Sequence, residues 1–233
     1  MTSESEDVDV TNLPGLAVVH LFFKVSAAVD VGPATIAITE CVAAKNQVIS
    51  AEIYGHKADF AVTALGESFG DLRHLQTGLV GAGLELVSSY VSLTEVSEYA
   101  MGAPQAMLLA RLRPQLPPEG LEAFCFYPMS KRRVHDDNWF QLPFEERTKL
   151  MLEHGTTGRE FRGRILQLVT GSAGLDEYEW GVTLFGRTLE DVKECVYKMR
   201  FDEASARFAE FGPFYVGTVG APEHLLHSLG ARG

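Results

Sequence analysis

QVISAEIYGHKADFAVTAL (47–65) is the stretch whose reading decides the fold. Gln47–Gly55 and Asp59–Leu65 are rich in branched and aromatic residues and hold no proline, as strands require. Gly55-His56-Lys57 between them supplies a hairpin turn. Outward from this hairpin the period changes. Pro33–Lys45 on one side and Ser68–Gly78 on the other have helical spacing; Ser68 is a candidate N-cap, and Leu72, Leu75 and Leu79 share a face. Further out, Leu16–Lys24 (LAVVHLFFK) has strand character, and alternation returns in Leu84–Val96, where Leu86, Ser88, Tyr90 and Ser92 alternate with Val87, Ser89, Val91 and Leu93. The order is β-α-β-β-α-β, a ferredoxin-like unit.

The same order recurs downstream. Leu121–Met129 has strand character, and Pro143–Glu153 starts a helix with proline in its first turn. Arg164–Thr170 and Tyr178–Phe185 are strands bracketing the turn-like GSAGLDE. Thr188–Met199 is a helix, extended near Glu203–Phe208, and Pro213–Thr218 is the last strand. The chain therefore divides into an acidic, disordered leader (1–12), an N-terminal ferredoxin-like half (13–100), a proline-rich linker with one short helix (101–120), a C-terminal ferredoxin-like half (121–219) and a tail (220–233). Each antiparallel sheet carries helices on one side and needs a cover for the other. The fold class expected is α+β, two fused ferredoxin-like halves forming a dimeric α/β barrel with helices outside.

Composition narrows the function. With 46% hydrophobic and 22% charged residues over 233, the chain is an ordinary globular one rather than a disordered one. No run approaches the ~20 apolar residues of a membrane span, and MTSESEDVDV lacks the basic start of a signal peptide. Twenty basic against 31 acidic residues leave a net charge of −11, which argues against a nucleic-acid partner held by bulk electrostatics. Cys41, Cys125 and Cys195 cannot all pair and lack metal-ligand spacing, so a reducing, cytoplasmic location is expected. Phosphate-binding glycine loops, nucleophile elbows, HExxH and CxxCH patterns are all missing.

The candidate chemistry lies in the second half. His154 falls four residues after Leu150 and three after Met151, so it sits on an inward stripe, just before Gly155 is expected to end the helix. Two readings are open: a buried structural or capping histidine, or a ligand to a metal or haem iron. Gln167 shares a strand face with Ile165 and Val169 and must find hydrogen bonds, either to a neighbouring loop or to a ligand. Ala123, Cys125, Tyr127 and Met129 share a face, with Lys131 in phase if that strand continues. Tyr127 is either a core-edge tyrosine or a pocket phenol, and Lys131-Arg132-Arg133 either a solvated loop or part of a basic site. Arg111, Arg113, Lys131, Arg132, Arg133 and Arg200 concentrate positive charge in an acidic chain; such arginines with Ser205 suit carboxylates, which guanidinium binds bidentately. By residues alone, the ligand is a polycarboxylate or a haem-like group.

FCFYPMSKRR (124–133), DNWFQLPFEERTKLMLEHGTTGREF (137–161), TGSAGLDEYEWGVTLF (170–185) and MRFDEASARFAEFGPFYVGT (199–218) resemble the coproheme decarboxylases, the peroxide-dependent haem synthases of the chlorite-dismutase-like superfamily. The likeness is long over residues 108–218; in the first half it rests on SYVSLTEVSEY (89–99) and YGHKAD (54–59). It implies two fused ferredoxin-like halves, a homopentamer, and iron-coproporphyrin III (coproheme) bound in the second half.

Carried over residue by residue, the resemblance makes His154 the proximal iron ligand and Gln167 the distal residue. Tyr127 becomes the radical-forming tyrosine, Lys131 a lysine beside the propionates, and Met129 a residue packed against a reactive one. Arg113, Arg200 and Ser205 match propionate anchors, and Tyr90 a further propionate contact. The activity implied is oxidative decarboxylation of propionates 2 and 4 by hydrogen peroxide, giving haem b through a three-propionate intermediate. This is the last step of coproporphyrin-dependent haem biosynthesis, with transient contact to the coproporphyrin ferrochelatase. Chlorite dismutases proper carry a distal arginine where this chain has Gln167, so chlorite turnover is not expected. Two alternatives are a haem-binding or transfer module without turnover and a general haem peroxidase.

Overall fold

Asp30 and Ser68 open the two helices of the first unit by accepting the backbone N–H groups of Gly32 and Gly70, which have no partner inside a helix. The structure, a computed structural model, describes residues 13–100 and 102–232; the leader expected at 1–12 lies outside them. The first unit runs β1 (Ala17–Lys24), α1 (Val31–Ala43), β2 (Gln47–Ile53), β3 (Phe60–Gly66), α2 (Phe69–Gly81) and β4 (Glu85–Thr94). Its hairpin turns at Gly55, whose φ of +91° suits glycine. A short helix, α3 (Gln105–Leu112), crosses to the second unit.

There β5 (Ala123–Lys131) continues through Lys131, and a small hairpin, β6 (Arg133–Val134) with β7 (Asp137–Asn138), follows. Next come α4 (Phe144–Arg159), β8 (Ile165–Gly171), β9 (Trp180–Gly186), α5 (Leu189–Met199), α6 (Glu203–Ala206), β10 (Ala209–Phe211) and β11 (Tyr215–Val219). Two expectations are corrected. The α4 helix does not end at Gly155 but runs on to Arg159. Gly155 lacks the positive φ of a helix-ending glycine, and a glycine inside a helix costs only about 1 kcal/mol. Residues 220–233 are not a plain tail: α7 (Pro222–Ser228) starts with proline and buries Leu225 and Leu226 in the cluster beneath α1.

Eight strands close into a ring, in the order β1-β3-β2-β11-β5-β9-β8-β4 and back to β1, every pair antiparallel. Within each unit the order is ferredoxin-like, and the units meet at the seams β2–β11 and β4–β8. Ring closure removes the sheet edges and lets the two inner faces bury one another. Val18, Phe22, Ile49, Ala61 and Leu65 from the first unit meet Phe124, Phe126, Leu168, Phe185 and Tyr215 from the second in this interior. The outer faces are covered separately: α1, α2 and α7 on the first unit, α5 on the second. This is the α+β barrel with helices outside that the two repeats call for.

The interior also holds His20, fully buried. Its ring stacks on Phe126 with centroids 4.1 Å apart, its Nε2 lies 2.8 Å from Thr183 Oγ1, and its Nδ1 has no partner. Burial pushes its pKa down to about 3, so the imidazole is neutral.

Candidate functional site

The helix α4 is unlike its counterpart α1. Thirteen residues of α1 bury Val31, Ala34, Ile38 and Cys41, whereas sixteen residues of α4 bury only Leu150. It packs on α5, α6 and the turn at Glu98–Ala100 rather than on the strands. Met151 and His154 are half-buried on its inward stripe, Met151 against the cluster of Trp139, Leu150, Ala204 and Phe208.

His154 is held from one side. Its Nδ1 lies 3.0 Å from Asp202 Oδ2 and 3.4 Å from Ser205 Oγ. Asp202 is buried as the N-cap of α6, and its Oδ1 accepts the Ser205 N–H at 3.0 Å. Burial alone would raise the Asp202 pKa, but its bonds to His154 and Ser205 outweigh that and lower it. An ionised carboxylate only accepts, so the Nδ1 facing it is the donor, and in the neutral imidazole Nε2 then keeps its lone pair. A carboxylate behind one ring nitrogen and a free lone pair on the other is the arrangement of a metal-binding histidine. Among the described residues no three of His, Cys, Asp and Glu gather as a metal site, and an iron already held by a porphyrin needs only one protein ligand.

The strand register brings the other candidates together. Gln167 stands opposite Leu184, which stands opposite Cys125; one step along, Val169, Val182 and Tyr127 form the next row. Directly paired residues share a face, so Gln167, Tyr127, Met129 and Lys131 all lie on the outer face of the second unit. Gln167 and Val169 are exposed there, an uncovered patch beside α5. Tyr127 is buried in the same layer, its ring stacked on Phe214 at 4.6 Å and edge-on to Phe211 at 5.6 Å. Burial raises the pKa of this phenol, helped by Cys125 and Cys195 and opposed by Arg200. Met129 packs at the edge of this cluster.

Lys131 is buried, and its ammonium donates to the Ala204 carbonyl at 2.6 Å while lying 4.4 Å from the Trp139 ring centre. Desolvation lowers its pKa to about 8 against the pull of Asp202 and Glu179. Arg200 is exposed at the end of α5, over the Phe211 ring. Ser205 is buried beside His154. Arg113 caps α3 and pairs with Glu67 at 3.5 Å, on the first unit. Tyr90 lies in the barrel interior, where its hydroxyl meets Ser172 and donates to the Tyr178 carbonyl at 3.2 Å. The basic run is drawn into ion pairs: Arg132 with Asp137 and Glu210, Arg133 with Glu179.

Asp202, Trp139, Phe211 and Phe214 escape a reading by residue type. For Asp202 a signal exists: aspartate followed three residues later by serine, ahead of a short helical run, is an N-cap pattern. The aromatic partners of Tyr127, Phe211 and Phe214, come from far away in sequence, whereas Trp139 follows Lys131 by eight residues but reaches it only because the β6–β7 hairpin folds the chain back.

The residues present fit a haem-like group. A histidine with one ring nitrogen free of protein partners, a helix that buries only Leu150, and an uncovered strand face carrying an amide together offer an axial ligand, apolar walls and a neutral hydrogen-bonding group.

A family profile described as chlorite dismutase matches residues 29–220. A protein of Natronomonas pharaonis, provisionally named a heme-binding protein, is 42% identical over 196 residues. The match covers 77% of this chain but 32% of that protein, so the chain spans about a third of the relative's length. A solved structure described as a novel heme-binding protein from Thermus thermophilus is 33% identical with a TM-score of 0.82, covering 94% of this chain and 96% of that one. Chlorite dismutase from Candidatus Nitrospira defluvii in complex with imidazole is similar in fold, with a TM-score of 0.75 at 18% identity over 95% of this chain and 98% of that one.

Proposed function

The chain belongs to the chlorite dismutase family, and from that premise we propose that it binds coproheme in its second unit and oxidatively decarboxylates propionates 2 and 4 to vinyl groups, yielding haem b. Each step balances as propionate plus hydrogen peroxide plus one proton giving vinyl, carbon dioxide and two waters. When bound, the iron porphyrin supplies the redox chemistry that reduces peroxide and oxidises the pocket.

The residues then have distinct tasks. His154, with Nδ1 given to Asp202, offers Nε2 as the single protein ligand to iron. Gln167, neutral and exposed on the facing strand, hydrogen-bonds the oxidant without exchanging a full charge. Tyr127 gives up its O–H proton and an electron, and the resulting radical abstracts hydrogen from the propionate carbon next to the ring. Arg113, Arg200 and Ser205 anchor carboxylates, and Met129 packs against the reactive edge. Lys131 sets the charge and protons around the second propionate. Holding the reacting carbon against the phenol is the positioning part of catalysis.

One observation carries this reading: an oxidisable phenol shares a sheet face with Gln167, and Arg200 lies over the Phe211 ring that packs against that phenol. A pocket that only stores haem needs no such pairing. The names of the two heme-binding relatives favour a second reading, haem or coproheme binding without turnover. Peroxide titration of the coproheme-loaded chain, followed by mass spectrometry of the porphyrin, separates them. Loss of two carboxyl groups supports the decarboxylase, and unchanged coproheme supports binding alone. Intact propionates with oxidation of an added small donor point to a peroxidase.

A further inference from the structure

The four residues of α6 are too few to hold a helical turn by themselves, because short helices are marginal without outside contacts. Yet this turn presents Asp202 to His154, so its position decides how well the imidazole is held. Besides the packing of Ala204, two buried hydrogen bonds fix it. One is internal: Asp202 Oδ1 accepts the Ser205 N–H. The other comes from the sheet: Lys131, the last residue of β5, donates its ammonium to the carbonyl of the fully buried Ala204. Lys131 in turn is held by the Trp139 ring, which packs with Leu150 of α4, Ala204 and Phe208 in one cluster. The lysine of β5 and the histidine of α4 thus hold the same turn at two points, Lys131 at Ala204 and His154 at Asp202.

We propose that Lys131 is a positioning residue for His154, acting through α6: its ammonium fixes the Ala204 carbonyl, and the turn so fixed keeps Asp202 in line with the imidazole Nδ1–H. The proposal rests on the reading of His154 as the iron ligand. A charge-assisted hydrogen bond of this length is among the stronger polar contacts a buried turn can have. Without it, the turn keeps its own cap and its packing on Trp139, Leu150 and Phe208 but loses its polar tie to β5, and the Asp202 carboxylate is held less firmly in line with the imidazole. An imidazole that loses its carboxylate partner is a weaker donor to a metal. Replacing Lys131 therefore weakens the iron–histidine bond through the turn.

The test is the iron–histidine stretching band in resonance Raman spectra of the full chain loaded with haem b and reduced. Lys131→Met keeps the aliphatic stem over Trp139 and removes the ammonium. The band is expected below its wild-type position, with a smaller shift than Asp202→Asn produces, and the double variant is expected to match Asp202→Asn alone. Lys131→Arg keeps a buried cation and donor, is expected to hold the band near wild type, and serves if the methionine variant does not fold. A wild-type band in Lys131→Met beside a shifted one in Asp202→Asn overturns the coupling and leaves the ligand reading standing. An arginine variant shifted as far as methionine also overturns it. A band that survives His154→Ala removes the ligand reading itself.

Discussion

Tyr127→Phe isolates the phenol oxygen. The ring is 6% exposed, stacked on Phe214 with 26° between planes and edge-on to Phe211 at 68°, and phenylalanine keeps all of these contacts. What is lost is one hydroxyl, worth about 1 kcal/mol in a hydrogen bond. Coproheme affinity should therefore fall by less than roughly fivefold. Turnover should respond quite differently. Burial holds the phenol above its ordinary pKa, so it stays protonated throughout the neutral range and its oxidation must release the O–H proton. Phenylalanine has no such proton, and decarboxylation should slow by at least ~100-fold, equivalent to about 2.7 kcal/mol in the barrier. The assay is stepwise peroxide addition to coproheme-loaded protein, with porphyrins separated and weighed by mass spectrometry at each step. Binding near wild type with all four propionates intact is the expected outcome. Conversion to haem b at close to the wild-type rate would refute the radical role. Tyr90 could not readily take over, because its hydroxyl is engaged inside the barrel, on the other face of the sheet.

Other outcomes follow from the same geometry. Gln167→Ala should slow haem formation without abolishing it, and the wild-type chain should give no sustained oxygen release from chlorite at an oxygen electrode. Lys131→Ala should pass the first decarboxylation and accumulate the three-propionate intermediate, visible as one lost carboxyl group. Asp202→Ala removes the α6 cap and a buried charge-assisted bond, at a cost of about 2–4 kcal/mol; a melting temperature lowered by roughly 5–15 °C checks this. His20 has a folded pKa of about 3 against 6.5 for the free side chain, so below that value the unfolded state binds the extra proton and stability falls with pH. The fall is up to ~1.4 kcal/mol per pH unit down to the folded pKa, and His20→Leu should flatten it, as urea midpoints at about pH 7 and about pH 5 will show.

Much of the fold was legible in the residue pattern because ferredoxin-like units announce themselves locally. The apolar run in Ala17–Lys24 and helical spacing in Leu72, Leu75 and Leu79 are signals spanning a few residues, and a strand and a helix form there. The failures came where the local signal was weak or ambiguous. Gly155 looked like a helix end, but packing of α4 on α5 and α6 carried the helix past it. The Leu225-Leu226 pair was too short a pattern to mark α7, which exists because the first unit's outer face buries it.

Within the site, the sequence by itself determined which chemistry is on offer: an inward histidine, a phenol, an amide and a lysine spaced so that strand and helix periods aim them. That Tyr127 and Gln167 share one face depends on the register of β5, β9 and β8, which is a matter of pairing between distant segments. Only the tertiary structure decided that Tyr90 turns into the barrel while Tyr127 turns out. Only it showed that Lys131 is committed to Ala204, and that His154 is braced by Asp202, 48 residues along the chain. The physical reason is that side-chain direction follows from local backbone period, whereas a partner's identity follows from the closure of the ring, and a short α6 turn takes its position from what packs around it rather than from its own four residues.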